Sequence, residues 1–432
     1  MNEDRHIPFA QKKVPFFLIL AIIGTTLFSW FNVNSCLIIL LVIWRLADGG
    51  RPVERCRTAF SNPFFLAYLS IFLIEVMGLF YTHDLFTAYK HVESKATLVA
   101  IPFVLCSGEF AHRKAFSRLL WGYCGLLTVI CLFCLVVAGY QYAQTRDVGV
   151  FFYHGLTEVI GMNAVFFSGY LMVALLFLLS PEAAPKGRLR TALVLFFTVM
   201  MILLASKLLL VLQAIVFLAY LRGWGRFRLK TRQMLGLTVL VIVATAALAL
   251  TRNPVGDRYK EILHDDWQYT GVRNFPPHTM FNGVSLRLLI WQFADEILDA
   301  NSAWVVGVSS GDSQDLLNRK YLAANMSRGF LSYNFHNQYI EILVRSGVLG
   351  LCIFLGAIWV LAGLAKKNGT MEGWFVLILT LVLALTESTL EMQHSLFLCC
   401  FFPLLFGYRA ATTREALDDR TATKVPPAAT PS

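Results

Sequence analysis

The stretch Phe335-His336-Asn337-Gln338-Tyr339-Ile340-Glu341, followed by Gly347 and Gly350, puts an imidazole and an amide where a long polar segment runs into a strongly apolar one. An ionisable side chain at a membrane boundary is costly to keep there, which makes it a functional candidate by default. His336 is expected in the first turn of the apolar helix that follows, where unsatisfied N–H groups and the helix dipole make a positive end. That setting favours a neutral ring able to accept a proton near neutral pH, and it suits an anion lodged beside the ring. The plainer alternative is an interfacial histidine that hydrogen-bonds to water or lipid headgroups. Asn337 stands beside it as a supporting polar group.

Three cations are candidates for holding such an anion. Arg287 falls in the first turn of a predicted amphipathic helix, beside the stripe Leu286, Leu289, Ile290, Phe293 and Ile297, with Ser285 as the expected N-cap. Its guanidinium could grip a phosphate with two parallel hydrogen bonds. Lys207 lies between two apolar runs with only Ser206 beside it, and no acid occurs between Thr191 and Gly223 to pair with it locally. A cation at that depth needs a partner, and a lipid phosphate or a ligand diphosphate would serve. Lys95, near the start of another apolar run, is a weaker case with Glu93 as a possible local partner. For each, snorkelling towards headgroups is the alternative. His154 and Glu158 form a further polar cluster without an assigned role. The chain has no P-loop, no dinucleotide-binding glycine motif, no HExxH and no DxD-type carboxylate pair. Asp265 and Asp266 are adjacent and in extended chain point apart. The expected site therefore uses no metal and no cofactor.

Those side chains need a scaffold, and composition says which kind. Of 432 residues, 57% are hydrophobic and only 15% are charged, against about a quarter charged in soluble domains. Apolar runs of about 16–24 residues recur along the chain, long enough to cross a hydrocarbon core as helices. The pattern predicts an all-α integral membrane protein of about twelve transmembrane helices with one long external loop that contains an amphipathic helix. The spans are expected near 14–31, 34–47, 63–82, 95–109, 117–140, 160–180, 190–205, 207–222, 233–251, 337–364, 373–389 and 392–408. The first run is too long for a signal core, lacks a small-x-small site and leads straight into the second, so it reads as a retained helix.

The net charge of +10 could suggest nucleic acid, but its placement argues for topology instead. With a cytoplasmic N-terminus, every inside loop is basic, from Lys12 and Lys13 through the Arg222–Arg232 cluster to Lys366 and Lys367. Outside the long loop, only Lys90, Lys95, Arg146 and Lys207 fall on the other side. Merging the runs on either side of Lys207 would expel the Arg222–Arg232 cluster, so they are kept as two spans. The expected organisation is helices over 1–251, a periplasmic loop over 252–336, helices over 337–408 and a disordered cytoplasmic tail over 409–432. Eight of the nine cysteines lie in apolar runs and Cys56 in a basic loop, so no disulfide framework is expected. The pair Cys131 and Cys134 reads as packing.

This combination resembles the O-antigen ligase and polymerase superfamily of bacterial envelope enzymes. The resemblance rests on His-Asn-x-Tyr at a loop end, Gly347 eleven residues on, the upstream Arg287 and the Gly307-Val308-Ser309 turn, and it is best from about Met201 to Leu355. It implies transfer of a glycan from a polyprenyl diphosphate donor to an acceptor hydroxyl at the outer face of the bacterial inner membrane, with both termini cytoplasmic and the active site facing the periplasm. It further implies that His336 is the loop-end histidine and Arg287 the arginine that grips the diphosphate. Ser206-Lys207 stands where many members carry Ser-Arg, which keeps the charge but loses the planar fork. The first reading is ligation of O-antigen to lipid A-core; a repeat-unit polymerase is the alternative within the family. A transporter or flippase is the alternative from another class, although such proteins hold their ionisable groups nearer the midplane. The expected partners are the lipid-linked donor, a lipid A-core or glycan acceptor and membrane lipids, without nucleic acid.

Overall fold

The run Ala164–Leu179 is apolar all round, and a helix of that kind can only be stable when it is surrounded. In the computed structural model it is the centre of the molecule, with nearly every side chain buried. The structure describes residues 9–110, 113–180, 183, 187–222, 235–236, 238–243, 274–276, 279, 281–368 and 370–422, with side chains of the last stretch described through Gly407. Of the expected ninth span, 233–251, only 235–236 and 238–243 are among these residues, and the first part of the long loop, with Asp265 and Asp266, lies outside them.

The helices are α1 (Lys13–Leu27), α2 (Phe31–Ala47), α3 (Pro52–Phe60), α4 (Pro63–Gly78), α5 (Leu85–Ser94), α6 (Thr97–Cys106), α7 (Arg113–Thr145) and α8 (Tyr153–Thr157). They continue with α9 (Ala164–Leu179), α10 (Arg188–Leu204), α11 (Lys207–Leu221), α12 (Gly283–Ala300), α13 (Ser313–Ala323), α14 (Gln338–Asn368), α15 (Met371–Thr386) and α16 (Gln393–Ala422). No strand occurs among the described residues. Three helices, α2, α7 and α14, are long and apolar enough to cross a membrane, or up to five if α3 with α4 and α8 with α9 each count as one bent span. The shorter apolar helices α1, α11, α15 and the first part of α16 lie alongside them. α14 packs chiefly on α4, α16 on α6, and α9 is enclosed by α10, α11, α15, α16 and α7. Apolar side chains such as Phe17, Val129, Val136 and Trp359 point outward, as expected of a protein solvated by lipid.

Two expectations about elements are corrected and one, the break at Ser206-Lys207, is met. The expected fourth span, 95–109, is shorter than expected: α5 ends at Ser94 with Lys95 as its C-cap, and only the ten residues of α6 follow, about 15 Å of helix. The break between α10 and α11 is real: Ala205 turns left-handed at φ 48° and α11 begins at Lys207. Where a disordered tail is expected beyond Arg409, α16 runs on to Ala422, over Ala, Arg, Glu and Leu, which are good helix formers.

The polar contacts between helix connections fall into two sets with no segment in common. One joins Lys12 to Asp48, Arg55 to Asp48 and the Ser107 carbonyl, Arg190 to the Ser180 carbonyl, and Tyr220 to Glu372. The other joins Ser29 to Gly161, Tyr81 to Val306, the Asp84 N–H to Asp312, Gln393 to Asn34, and α12 to the α15–α16 connection. Each contact links two segments that the charge pattern assigns to the same side.

Candidate active site

Within the second set of contacts, α12 starts with a capping box. Asn282 Oδ1 accepts the N–H groups of Val284 and Ser285 at 2.8 Å, and Ser285 Oγ accepts the Asn282 N–H at 3.1 Å. The N-cap is therefore Asn282, with the expected cap Ser285 three residues in. The stripe Leu289, Ile290, Phe293 and Ile297 is buried against α13 and the start of α14, around Leu317, Tyr321 and Phe335. Arg287 consequently falls in the second turn and faces out of that core. Its guanidinium donates to the carbonyls of Gly283 at 2.8 Å and Thr386 at 3.1 Å, and it pairs with Glu387 at 3.2 Å.

Arg287 lines a cavity of about 170 Å³ together with Lys207, Ser206, Tyr153, Asn282 and Glu387. That is room for several waters or a compact anion. Lys207, in the first turn of α11, lines it from a second helix. Two cations and the N-terminal ends of α11 and α12 thus face one space, the arrangement expected of an anion site.

His336 does not lie in the first turn of α14. It precedes the helix by two residues in a left-handed conformation, φ 48°, with its N–H donated to Asn334 Oδ1 at 3.0 Å. Asn337 is the cap: its Oδ1 accepts from Tyr339 and Ile340 at 2.9 and 3.2 Å, and its amide donates to the Leu385 carbonyl at 3.2 Å. The His336 ring stands edge-on to Tyr333, and its Nδ1 lies 3.4 Å from Glu387 Oε2, the long end of a hydrogen bond. Glu387 is thus the bridge, one oxygen toward the imidazole and the other toward Arg287. If Nδ1–H is donated to that carboxylate, Nε2 is left as the proton acceptor.

Glu387 is the residue that sequence reasoning missed. It sits inside the run assigned to the eleventh span, and the signal that flagged His336, an ionisable group at the end of an apolar run, applied to it equally. Lys95 is corrected in the other direction. It is fully buried and paired with Glu75 and Glu391, while Glu93 pairs with Lys90. It does not line the cavity, and its charge is taken up by a cluster that also holds Arg345 and His91. Burial alone would push the Glu391 carboxyl up, but Arg345, Lys95 and His91 hold it well below the usual carboxylate range. His154 is also elsewhere in role: its Nδ1 accepts the Ala164 N–H at 3.4 Å at the start of α9, while its neighbour Tyr153 reaches the cavity. Cys131 and Cys134 are buried free thiols. Among the described residues no group of three or more His, Cys, Asp or Glu is placed to hold a metal.

Fold and site together define a helical membrane protein with a cation-lined cavity beside a carboxylate-bound histidine. Residues 191–355 match the O-antigen ligase family. The matched segment runs from α10 into α14 and carries Lys207, Arg287 and His336; Glu387 lies beyond it. No curated protein matches the chain.

Proposed function

We propose that this protein is a glycosyltransferase of the bacterial inner membrane that moves a glycan from a polyprenyl diphosphate donor to an acceptor hydroxyl, with O-antigen ligation to lipid A-core as the specific reaction. The observation that carries this reading is the bridge made by Glu387 between His336 and Arg287, on a cavity that Lys207 also lines.

In the reaction the acceptor oxygen attacks the anomeric carbon and gives its proton to His336 Nε2. The bond from that carbon to the diphosphate oxygen breaks, so negative charge grows on the leaving group. In this reading Arg287 and Lys207, which line the cavity, take up that charge, since fixed cations lower a barrier most where charge develops. Glu387 orients the imidazole and stabilises the imidazolium that forms. One direct displacement inverts the anomeric carbon. Since the two side-chain cations supply the charge that a metal would otherwise bring, transfer is expected to persist in excess chelator, and its loss there would overturn that step.

The test is reconstitution of the full chain in liposomes with lipid-linked donor and acceptor, without nucleotide. General-base assistance is worth about 10²–10⁴ in rate, so His336→Ala should lose transfer by that factor while protein abundance stays normal. Wild-type transfer unaffected by His336→Ala would refute the assignment. A deletion strain identifies the acceptor: loss of a ligase leaves long lipid-linked polymer, whereas loss of a repeat polymerase leaves a single repeat on the core.

A further inference from the structure

The base and its carboxylate come from segments some fifty residues apart, and a single buried side chain touches the backbone or side chain next to each. Glu341, in the first turn of α14, is 1% exposed. Its Oε2 accepts the Phe335 N–H at 3.3 Å and the Ser388 hydroxyl at 2.8 Å. Phe335 immediately precedes His336, and Ser388 immediately follows Glu387. We propose that Glu341 is a positioning residue of the transfer site, clamping both segments so that the imidazole and the Glu387 carboxylate meet. The inference rests on the reading of His336 as the base.

Three observations support the clamp. His336 holds a left-handed conformation, which an L-residue keeps only when its surroundings impose it. The surroundings here are the Phe335 N–H on Glu341, the Phe335 carbonyl receiving the Trp291 indole at 3.0 Å, and the His336 N–H on Asn334. Second, the carboxylate is itself anchored. Arg345, one turn along the same helix, holds its Oε1 at 2.7 Å and is held in turn by Glu391 at 2.8 Å. The buried cluster that absorbs Lys95 thereby becomes the foundation of the clamp. Third, the His336–Glu387 contact has no slack, because at 3.4 Å a small displacement ends it. Asn337 also binds the end of α15 at the Leu385 carbonyl, and Gln338 the α15–α16 connection at the Leu390 N–H, but neither reaches the backbone that sets His336.

The experiment compares wild type, Glu341→Gln and Ser388→Ala as full-length protein in liposomes. Two quantities are read: kcat and KM for the lipid-linked donor, and amide hydrogen exchange across residues 334–342 by mass spectrometry. In Glu341→Gln, kcat is expected to fall by about tenfold to a hundredfold, the scale of an ångström-sized misplacement, with KM within about twofold. Exchange at Phe335 and His336 should rise at least about tenfold while the rest of α14 keeps its protection. Ser388→Ala removes one of the two donors and should show the kcat loss in smaller measure; it also serves if Glu341→Gln fails to accumulate. Unchanged kcat and exchange in Ser388→Ala, or protection lost throughout α14 together with activity, overturns the proposal. Exchange does not depend on turnover: the expected exchange pattern in a wild type that transfers nothing would uphold the clamp and refute the transferase reading.

Discussion

At the scale of single residues, the candidate site has an internal tension. Glu387 is an anion on the wall of a cavity proposed to take an anion, and Arg287 divides its hydrogen bonds between that carboxylate, Thr386 and Gly283. A diphosphate entering the cavity competes with Glu387 for Arg287, whereas the imidazolium formed during transfer needs Glu387 charged. Glu387→Gln should therefore separate binding from chemistry. KM for the donor is expected to fall or stay level, because a negative charge leaves the cavity, while kcat falls by about tenfold or more as the imidazolium loses its counter-charge. A kcat left at wild-type value would show that Glu387 only packs. Arg287→Lys keeps a charge but loses the planar fork that reaches three oxygens at once, so kcat/KM for the donor should fall about tenfold or more. Lys207→Arg should instead stay within about threefold, because the site there already accepts a point charge. Steady-state kinetics with purified donor checks both. His336, Arg287 and Lys207 were legible in the sequence because each is a charge or titratable group beside an apolar run with no local partner. Lys95 carried a weaker form of the signal, with Glu93 as its expected local partner, and misled, since its partners Glu75 and Glu391 are distant in sequence. Local composition cannot reveal a partner that only the fold supplies.

At the scale of elements, the most informative feature is the break in α14. Gly347 sits at φ 62°, ψ −167°, a conformation open to glycine and almost closed to other residues. The break frees helical carbonyls and N–H groups near the membrane boundary, where unpaired ones would be costly. The chain at 304–309 takes them up: Val308 and Ser309 donate to the carbonyls of Val344 and Arg345, and Val348 and Leu349 donate to those of Trp304 and Val305. The two backbones approach so closely that a Cβ on Gly347 would lie 2.2 Å from the Val305 carbonyl, and one on Gly307 2.3 Å from that of Arg345. Gly347→Ala should therefore lower stability by at least about 2 kcal/mol, from strain and from lost hydrogen bonds, read as a drop in melting temperature in detergent. Gly356, in the same helix, has open space where its Cβ would go, so Gly356→Ala should be neutral or stabilising by up to about 1 kcal/mol. Equal responses from the two glycines would show that the crossing does not hold the segment. Periodicity and glycine placement made the helices, the Gly307 turn and Gly347 legible as separate features. That the turn repairs the break was not legible, because hydrogen bonds between distant backbones leave no mark on side-chain pattern.

At the scale of the whole molecule, the question is whether the two sets of polar contacts are two faces of one membrane. The charge pattern assigns sides from Lys and Arg alone, whereas the packing assigns partners from geometry. The two sortings agree at each inter-segment contact described above, from Lys12–Asp48 in one set to Asp84–Asp312 in the other. If α10 and α11 were a single crossing, every segment after Lys207 would change side, and Arg287 and His336 would face the cytoplasm. A polyprenyl-linked donor presented at the outer face could then not reach the cavity. Cysteines introduced singly at Asp147, Asp312, Asp48 and Lys366 test this in intact cells whose inner membrane is reached from the periplasm. A membrane-impermeant maleimide should label positions 147 and 312 above the background of the native thiols, and positions 48 and 366 only after the membrane is opened. The decisive comparison is 147 with 312, since they lie on either side of the α10–α11 turn. Labelling at 147 without 312 would place the His336 site on the cytoplasmic face and end the periplasmic transferase reading, whatever chemistry the cavity performs.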